Sequence, residues 1–358
     1  MTKKQEALLK NLISIPSPSG FESKIAEFIQ SELLQVLPKT RVKVDFQNNV
    51  TAVIKGTSDK VLMIDAHLDQ IAYIVTNIDK KGFISLGEIG GHDTSILSAR
   101  DLIILTDKGK VNAVVNRRHS HLVADEDEET INNIYEALVD IGPRSRAKVT
   151  SAVKIGDPVI YRPSYNKLRE SYVSGYGFDD KAGCFILMEV IKEIVRSKMK
   201  VVPTLVFTFS SQEETGGGTC KPLVRKYKPD LFIEVDVTFA SDWSDSEDDE
   251  REAGRCELGK GVVIYRGVGC DVNIGKLIAS TAKHYHIKIQ CQASYGQIGY
   301  TSDYISSQEN GIRACIIGIP LRNMHTSAEI INLKDLNTGT VLLTKVLLHR
   351  NILKVLQR

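Results

Sequence analysis

Four stretches of strand length are apolar almost throughout: VLMIDAH from Val61, VVPTLVFTF from Val201, LFIEVDV from Leu231 and ACIIGIP from Ala314. A strand with one wet face alternates in polarity, so runs this uniform belong to a sheet covered on both faces, which means a largely parallel one. Helix-period segments separate the runs. Leu8, Leu9, Leu12 and Ile13 mark a helix over residues 5–15, and Ile25, Phe28, Ile29 and Leu33 mark a second over 22–37. Residues 180–197 predict a strong amphipathic helix, GCDVNIGKLIASTAKHY contains another, and a long terminal helix is expected from about Leu333. The alternation predicts an α/β fold, a mostly parallel sheet sandwiched by helices. Between the first two helices IPSPSG is a breaker, and Ser19 with Glu22 three residues on fits a capping box, which makes Ser19 the expected N-cap.

Residues 71–165 change character. Short β runs follow one another (IAYIVTNI, GFISLGEI, LIILTD, KVNAVVN, DPVIYRP), with one helix expected near Glu128 to Leu138. This segment reads as a mostly-β domain inserted into an α/β domain built from residues 1–70 and 166–358. No internal repeat is visible, and the acidic run SDSEDDERE (Ser244 to Glu252) reads as a solvated loop.

With 46 basic and 44 acidic residues the net charge is +2, which gives no electrostatic case for nucleic acid or an acidic membrane as partner. No stretch reaches the roughly 18 apolar residues of a membrane span. The N-terminus MTKKQEALLKNLI lacks the apolar core of a secretory signal, and the six cysteines are scattered without a C-x-x-C pair. Reduced thiols and a cytoplasmic location are expected.

Five potential metal ligands stand at or just beyond strand ends, where α/β sheets present their ligand crevice. His67 ends the VLMIDAH run, with Asp69 two residues on to accept a hydrogen bond and fix its tautomer. Alone, H-x-D reads equally as a structural histidine. Asp179, in FDDKAGC with Asp180 beside it, precedes a long helix; it is either a cap or a carboxylate placed to bridge two cations. Glu213 and Glu214, in SQEETGGG, are adjacent carboxylates after a buried strand. Such a pair is costly in a crevice unless cations compensate, although a solvated acidic turn is the alternative. Asp236 interrupts a buried-type strand and needs a partner. His325 follows ACIIGIP in RNMHTS. As a set, two histidines and three carboxylates form a mixed N/O group that suits zinc, cobalt or manganese, can hold two cations with one carboxylate shared, and leaves one glutamate as general base. His284 and His286 read as surface residues of a basic, strand-like patch, and His349 lies on the expected terminal helix. His92, His119 and His121 of the inserted segment receive no ligand role.

These motifs resemble the metalloaminopeptidase family of glutamyl aminopeptidase and the self-compartmentalising tetrahedral (TET) aminopeptidases, some members of which once carried the name endoglucanase. The resemblance runs from IPSPSGFE (Ile15 to Glu22) past His325, through AHLDQIAYIVTNIDKKGFISLGEIGG, HSHLV, VDIGPRS, IGDPVIY, FDDKAGC, SQEETGGGT, EVDVT, LGKGVVI, YTSDY and MHTSAE in order. The wide separation of His67 from Asp179, with the extra domain between them, sets it apart from related co-catalytic zinc peptidases.

By this resemblance, His67 and Asp236 hold one metal, Glu214 and His325 the other, and Asp179 bridges them. Glu213 is the general base and Asp69 orients His67. The implied protein is an aminopeptidase with two divalent ions, zinc or cobalt, acting on peptides and assembling as a homo-oligomer, up to a dodecamer, through the inserted domain. An N-acyl-amino-acid deacylase or dipeptidase on the same scaffold, or a non-catalytic scaffold protein, are the alternatives. The sequence departs from the family at Gln70, where glutamate is usual, at Lys181, where arginine is common, and in the acidic loop after Trp243, which replaces a segment commonly reading D-T-P-G.

Overall fold

A computed structural model describes residues 1–117, 131, 133–217, 219–243, 247–296, 300–302, 305 and 311–356. The HSHLV landmark with His119 and His121, the start of the helix expected at Glu128, Gly218, residues 244–246 of the acidic run and the end of YTSDY lie outside them.

The chain opens with helix α1 (Lys3–Ser14), closed by a capping box in which Thr2 and Gln5 bond each other's backbone N–H. Leu8, Leu9, Leu12 and Ile13 are its buried face, as the periodicity predicted. Helix α2 (Ser23–Leu33) is shorter than expected, and Ser19 is not its cap: Glu22 takes that position without a side-chain cap bond. The Ser19 hydroxyl instead donates to Asp69 Oδ2 at 2.5 Å, and Glu22 Oε1 accepts the Gly20 N–H at 2.6 Å. A buried carboxylate outcompetes the helix end for the serine proton.

Strands β1 (Val42–Val44), β2 (Val50–Ile54) and β3 (Val61–His67) follow, then β4 (Ala72–Ile78), β5 (Ile84–Ile89), β6 (Asp101–Thr106), β7 (Gly109–Val115), β8 (Leu138–Asp140), the short helix α3 (Arg146–Thr150) and β9 (Pro158–Tyr161). Strands β4 to β9 close into an antiparallel barrel in the order β4-β5-β8-β7-β6-β9 around their own core, which includes Tyr73, Leu86, Ile104 and Val159. The helix expected up to Leu138 is absent among the described residues there. Residues Ile134–Glu136 make a single 3-10 turn capped by Asn133, and Leu138 starts β8. Pairing Val139 with Ile84 and Asp140 with Val114 closes the barrel, which overrides the local helical pattern.

Strands β10 (Tyr165–Lys167) and β11 (Tyr172–Gly175) lead into α4 (Phe178–Ser197), β12 (Thr204–Ser210), α5 (Cys220–Tyr227), β13 (Leu231–Phe239), α6 (Glu247–Ala253), β14 (Val262–Gly267), α7 (Val272–His284), β15 (Ile289–Ser294), β16 (Ala314–Leu321), β17 (Glu329–Asn332), α8 (Leu333–Leu347) and α9 (Ile352–Leu356). The main sheet runs β1-β2-β12-β3-β13-β16-β14-β15, and its centre, β12-β3-β13-β16, is parallel throughout. These central strands are the four uniform apolar runs, buried on both faces; α4 packs on β3 and β13 and also against α8. Strands β10, β11 and β17 form a small antiparallel sheet.

Residues 247–252 of the acidic run lie in the helix α6 rather than in a loop. Acidic residues in its first turn favour the helix dipole, and Arg251 turns back onto Glu247 and Asp248. His284 and His286 are exposed, as expected, but at the end of α7 and not in a strand; His349 lies just past α8. Among the described residues no helix is long and apolar enough to cross a membrane.

Candidate metal centre and active site

Register brings the expected residues together at one edge of the sheet. His67 ends β3 opposite Ser210, the last residue of β12, and Glu213 and Glu214 sit on the turn just beyond. Asp236 pairs with Gly318 in the parallel β13–β16 ladder, and His325 lies on the loop that follows β16. Asp179 is in the first turn of α4. His67, Glu213, Glu214 and His325 stand at or beyond the carboxyl ends of parallel strands, Asp236 lies in the last half of β13, and Asp179 reaches the same crevice from the start of α4.

The contacts divide into two halves. His67 Nε2 is 3.0 Å from Asp179 Oδ1 and 3.7 Å from Asp236 Oδ1. His325 Nε2 is 3.3 Å from Asp179 Oδ2 and 3.4 Å from Glu214 Oε2. Asp179 therefore turns one oxygen to each histidine. These residues line a cavity of about 360 Å³ together with Glu213, Gly91 and Tyr300. His325 adopts a φ of 60°, a left-handed conformation uncommon outside glycine, and this turns the loop so that the ring enters the cavity.

Supporting residues hold this arrangement. Asp69 is fully buried; it accepts the N–H groups of Glu213 (3.0 Å) and Glu214 (3.2 Å) and lies 3.4 Å from His67 Nδ1. Glu329 Oε2 accepts the Phe178 N–H at 2.6 Å and so ties down the turn that carries Asp179. Lys181, buried where an arginine was expected, donates to the Ile15 carbonyl at 2.8 Å and to Gln70, which replaces the usual glutamate. The two departures contact each other, and burial brings the Lys181 ammonium down to about 7. A neutral amide beside a lysine that ionises weakly avoids burying a full ion pair. Sequence reasoning read Ser19 as a helix cap, named Asp180 only as the neighbour of Asp179 and gave Glu329 no role. Asp180 lies close enough to His67 and Asp236 to share an ion with them. Only the MHTSAE motif hinted at Glu329, and nothing in its own neighbourhood distinguishes it from a strand-end residue.

The electrostatics call for cations. Burial pushes Glu214, Asp236 and Asp180 well above the usual carboxylate range. Burial also acts on Glu213, partly opposed by His67, and brings it to about 8. At Asp179 burial is outweighed by hydrogen bonds to His325 and His67, which hold its carboxyl low. Glu214 Oε1, Asp180 Oδ2 and His67 Nδ1 are buried without a hydrogen-bond partner among the described residues. Buried polar atoms in such numbers need partners. A mixed imidazole–carboxylate donor set with unfilled oxygens fits divalent ions of the zinc or cobalt type.

Comparison with known proteins shows the fold and the family of the chain. Residues 48–342 match the family described as M42 glutamyl aminopeptidase. The lysyl aminopeptidase of Pyrococcus furiosus is 28% identical over 347 residues, which cover 96% of each chain. The glutamyl aminopeptidase of Lactococcus lactis is 23% identical, covering 97% of each. The TET1 peptidase of Pyrococcus horikoshii, solved as a structure that can assemble into a tetrahedron or a large octahedral shell, superposes with a TM-score of 0.84 at 25% identity, covering 96% of this chain and 99% of that one. The chain belongs to the M42 glutamyl aminopeptidase family, and it is a peptidase.

Proposed function

With that membership as premise, we propose that the protein is an aminopeptidase that removes N-terminal residues from peptides at a centre for two divalent cations, zinc or cobalt. The observation that carries the reading is the split of Asp179, one carboxylate oxygen toward His67 and the other toward His325. A shared carboxylate between two imidazoles suits a bridging ligand, with Asp236 completing one half and Glu214 the other. When bound, the cations supply Lewis acidity, which lowers the pKa of the attacking water and draws charge from the scissile carbonyl.

The remaining chemistry belongs to the chain. Glu213, in the same cavity, takes the proton of the water and passes it to the leaving amine. Asp69 holds the His67 ring and the Glu213–Glu214 turn in one orientation. The carboxylates of the cavity offer acceptors for the free α-ammonium of the substrate, which is what restricts cleavage to the chain end. The barrel of residues 71–165 is the inserted domain, whose role is to join copies of a cytoplasmic homo-oligomer and limit access to the centre. The assemblies of the P. horikoshii relative support that part of the reading.

Metal content measured together with hydrolysis of aminoacyl-p-nitroanilides and of N-acetylated amino acids tests the proposal. Two equivalents of metal and cleavage of the anilides alone are expected. Cleavage confined to the N-acetylated compounds identifies a deacylase, and a metal-loaded protein inert toward both is a scaffold.

A further inference from the structure

A second cavity, about 580 Å³, adjoins the candidate metal centre, and the two share Phe239 and Met324 in their walls. Three aromatic residues that line it, Phe239, Trp243 and Tyr295, are more than half exposed. Large apolar side chains left wet and gathered around one concavity mark a binding surface. Its charge is lopsided. Asp249 and Glu252, three residues apart on one face of α6, both line it. The Asp249 carboxylate is fixed against the aromatic wall by the Trp243 Nε1–H, 2.9 Å away. Among the described residues the one cation in the wall, Arg322, is engaged: Nε donates to Asp242 Oδ1 at 2.7 Å and a terminal nitrogen to the Asp242 carbonyl at 3.2 Å. Arg251 of α6 is held by Glu247 and Asp248. Among the described residues, Asp249 and Glu252 have no basic partner.

We propose that this cavity receives the side chain of the substrate's N-terminal residue and selects a cationic one, lysine or arginine. The inference rests on the aminopeptidase reading and deepens it. A long aliphatic stem lies along Phe239 and Met324, and its charged head meets the aromatic faces and the two carboxylates of α6. The helix that supplies these carboxylates stands where the sequence departs from its family, so the preference belongs to this chain. The curated relatives, one named for lysyl and one for glutamyl cleavage, differ in the same property.

The test is kcat/KM of the metal-supplemented protein for lysyl-, arginyl-, leucyl-, alanyl- and glutamyl-p-nitroanilides, repeated with Asp249→Asn/Glu252→Gln and with Asp249→Lys. Lysyl and arginyl substrates should exceed leucyl by about tenfold or more, the size of one or two partly exposed charge pairs. The Asn/Gln pair should lower the lysyl-to-leucyl ratio by about tenfold. Asp249→Lys should raise the glutamyl-to-lysyl ratio. Asparagine keeps an acceptor for Trp243, so α6 stays anchored. Without turnover, lysinamide should bind the Glu213→Gln variant more tightly than leucinamide in calorimetry. A flat or glutamyl-leaning profile, or a charge preference that appears only at the second residue of dipeptides, overturns the cavity's assignment while leaving the aminopeptidase standing. No hydrolysis of any anilide overturns both.

Discussion

The Asp69 carboxylate accepts the backbone N–H of Glu213 at 3.0 Å, which ties a residue two positions beyond β3 to the turn that follows β12. Its second oxygen accepts the Glu214 N–H and the Ser19 hydroxyl, and His67 Nδ1 lies 3.4 Å from its first. One fully buried side chain therefore sets the histidine, the paired glutamates and the segment leading into α2.

Asp69→Asn should damage this assembly without unfolding the chain. The amide keeps one oxygen but sets its NH2 group against either the Glu213 or the Glu214 N–H, and that leaves one backbone donor unpaired. Supporting residues of this kind are typically worth about 10–100-fold in metal affinity or activity. Chelator competition and kcat should both show losses in that range. A variant with wild-type metal affinity and kcat would mean that Asp69 does not organise the centre.

Glu213→Gln should retain the metals and lose turnover. Glutamine keeps the shape but has no basic oxygen to take a proton, and a general base contributes about 10²–10⁴-fold. Metal content by mass spectrometry should match the unaltered protein, with kcat down by about that factor. Near-normal turnover would remove Glu213 from the reaction.

Metal loading should be linked to protons. Burial, opposed by His67 and reinforced by Asp69, pushes the Glu213 carboxyl from its ordinary 4.5 up to about 8. Between those values the metal-free folded chain holds a proton that the unfolded chain has released, so metal-free stability falls as pH rises through that window. His67, where the nearby carboxylates of Asp179, Asp69 and Asp236 outweigh burial, is raised and acts in the same direction. Bound cations favour the carboxylate and the neutral imidazole and remove the penalty. The gain in Tm on adding zinc should therefore be larger at pH 8 than at pH 6, and calorimetry in buffers of different ionisation enthalpy should show proton release at pH 7. Equal gains at both pH values, with no proton release, would contradict the linkage.

What could be read from the sequence follows from what each feature depends on. The central strands carry uniform apolar runs because they are buried on both faces, so VLMIDAH and ACIIGIP announce their place without help from the rest of the chain. The ligand candidates stood out because polar residues at the ends of such runs are costly unless used. Ser19, Leu138 and residues 247–252 were misread for the opposite reason. For the first two a distant partner overrides the local pattern, the Asp69 carboxylate for Ser19 and the barrel neighbours of β8 for Leu138, whereas α6 is held by local pairs of Arg251 that a run of acidic residues does not announce. The clamp from Asp69 to the Glu213 turn spans 144 positions and leaves no trace in either segment alone.

Gly90 and Gly91 separate backbone demand from side-chain room at the edge of the centre. Gly90 has a φ of +81°, and a Cβ there would stand 2.8 Å from Ile71 Cγ2 and 3.4 Å from Glu214 Cβ and Oε2. Gly91 lines the cavity, where a Cβ would meet only His325, 3.4 Å from Nδ1. Gly90→Ala has to adopt a left-handed backbone and displace Ile71, at a cost of about 1–3 kcal/mol. Gly91→Ala needs neither. Denaturant unfolding should show that loss for Gly90→Ala and little change for Gly91→Ala. Equal stability in the two variants would mean that the Gly90 turn and Ile71 relax freely.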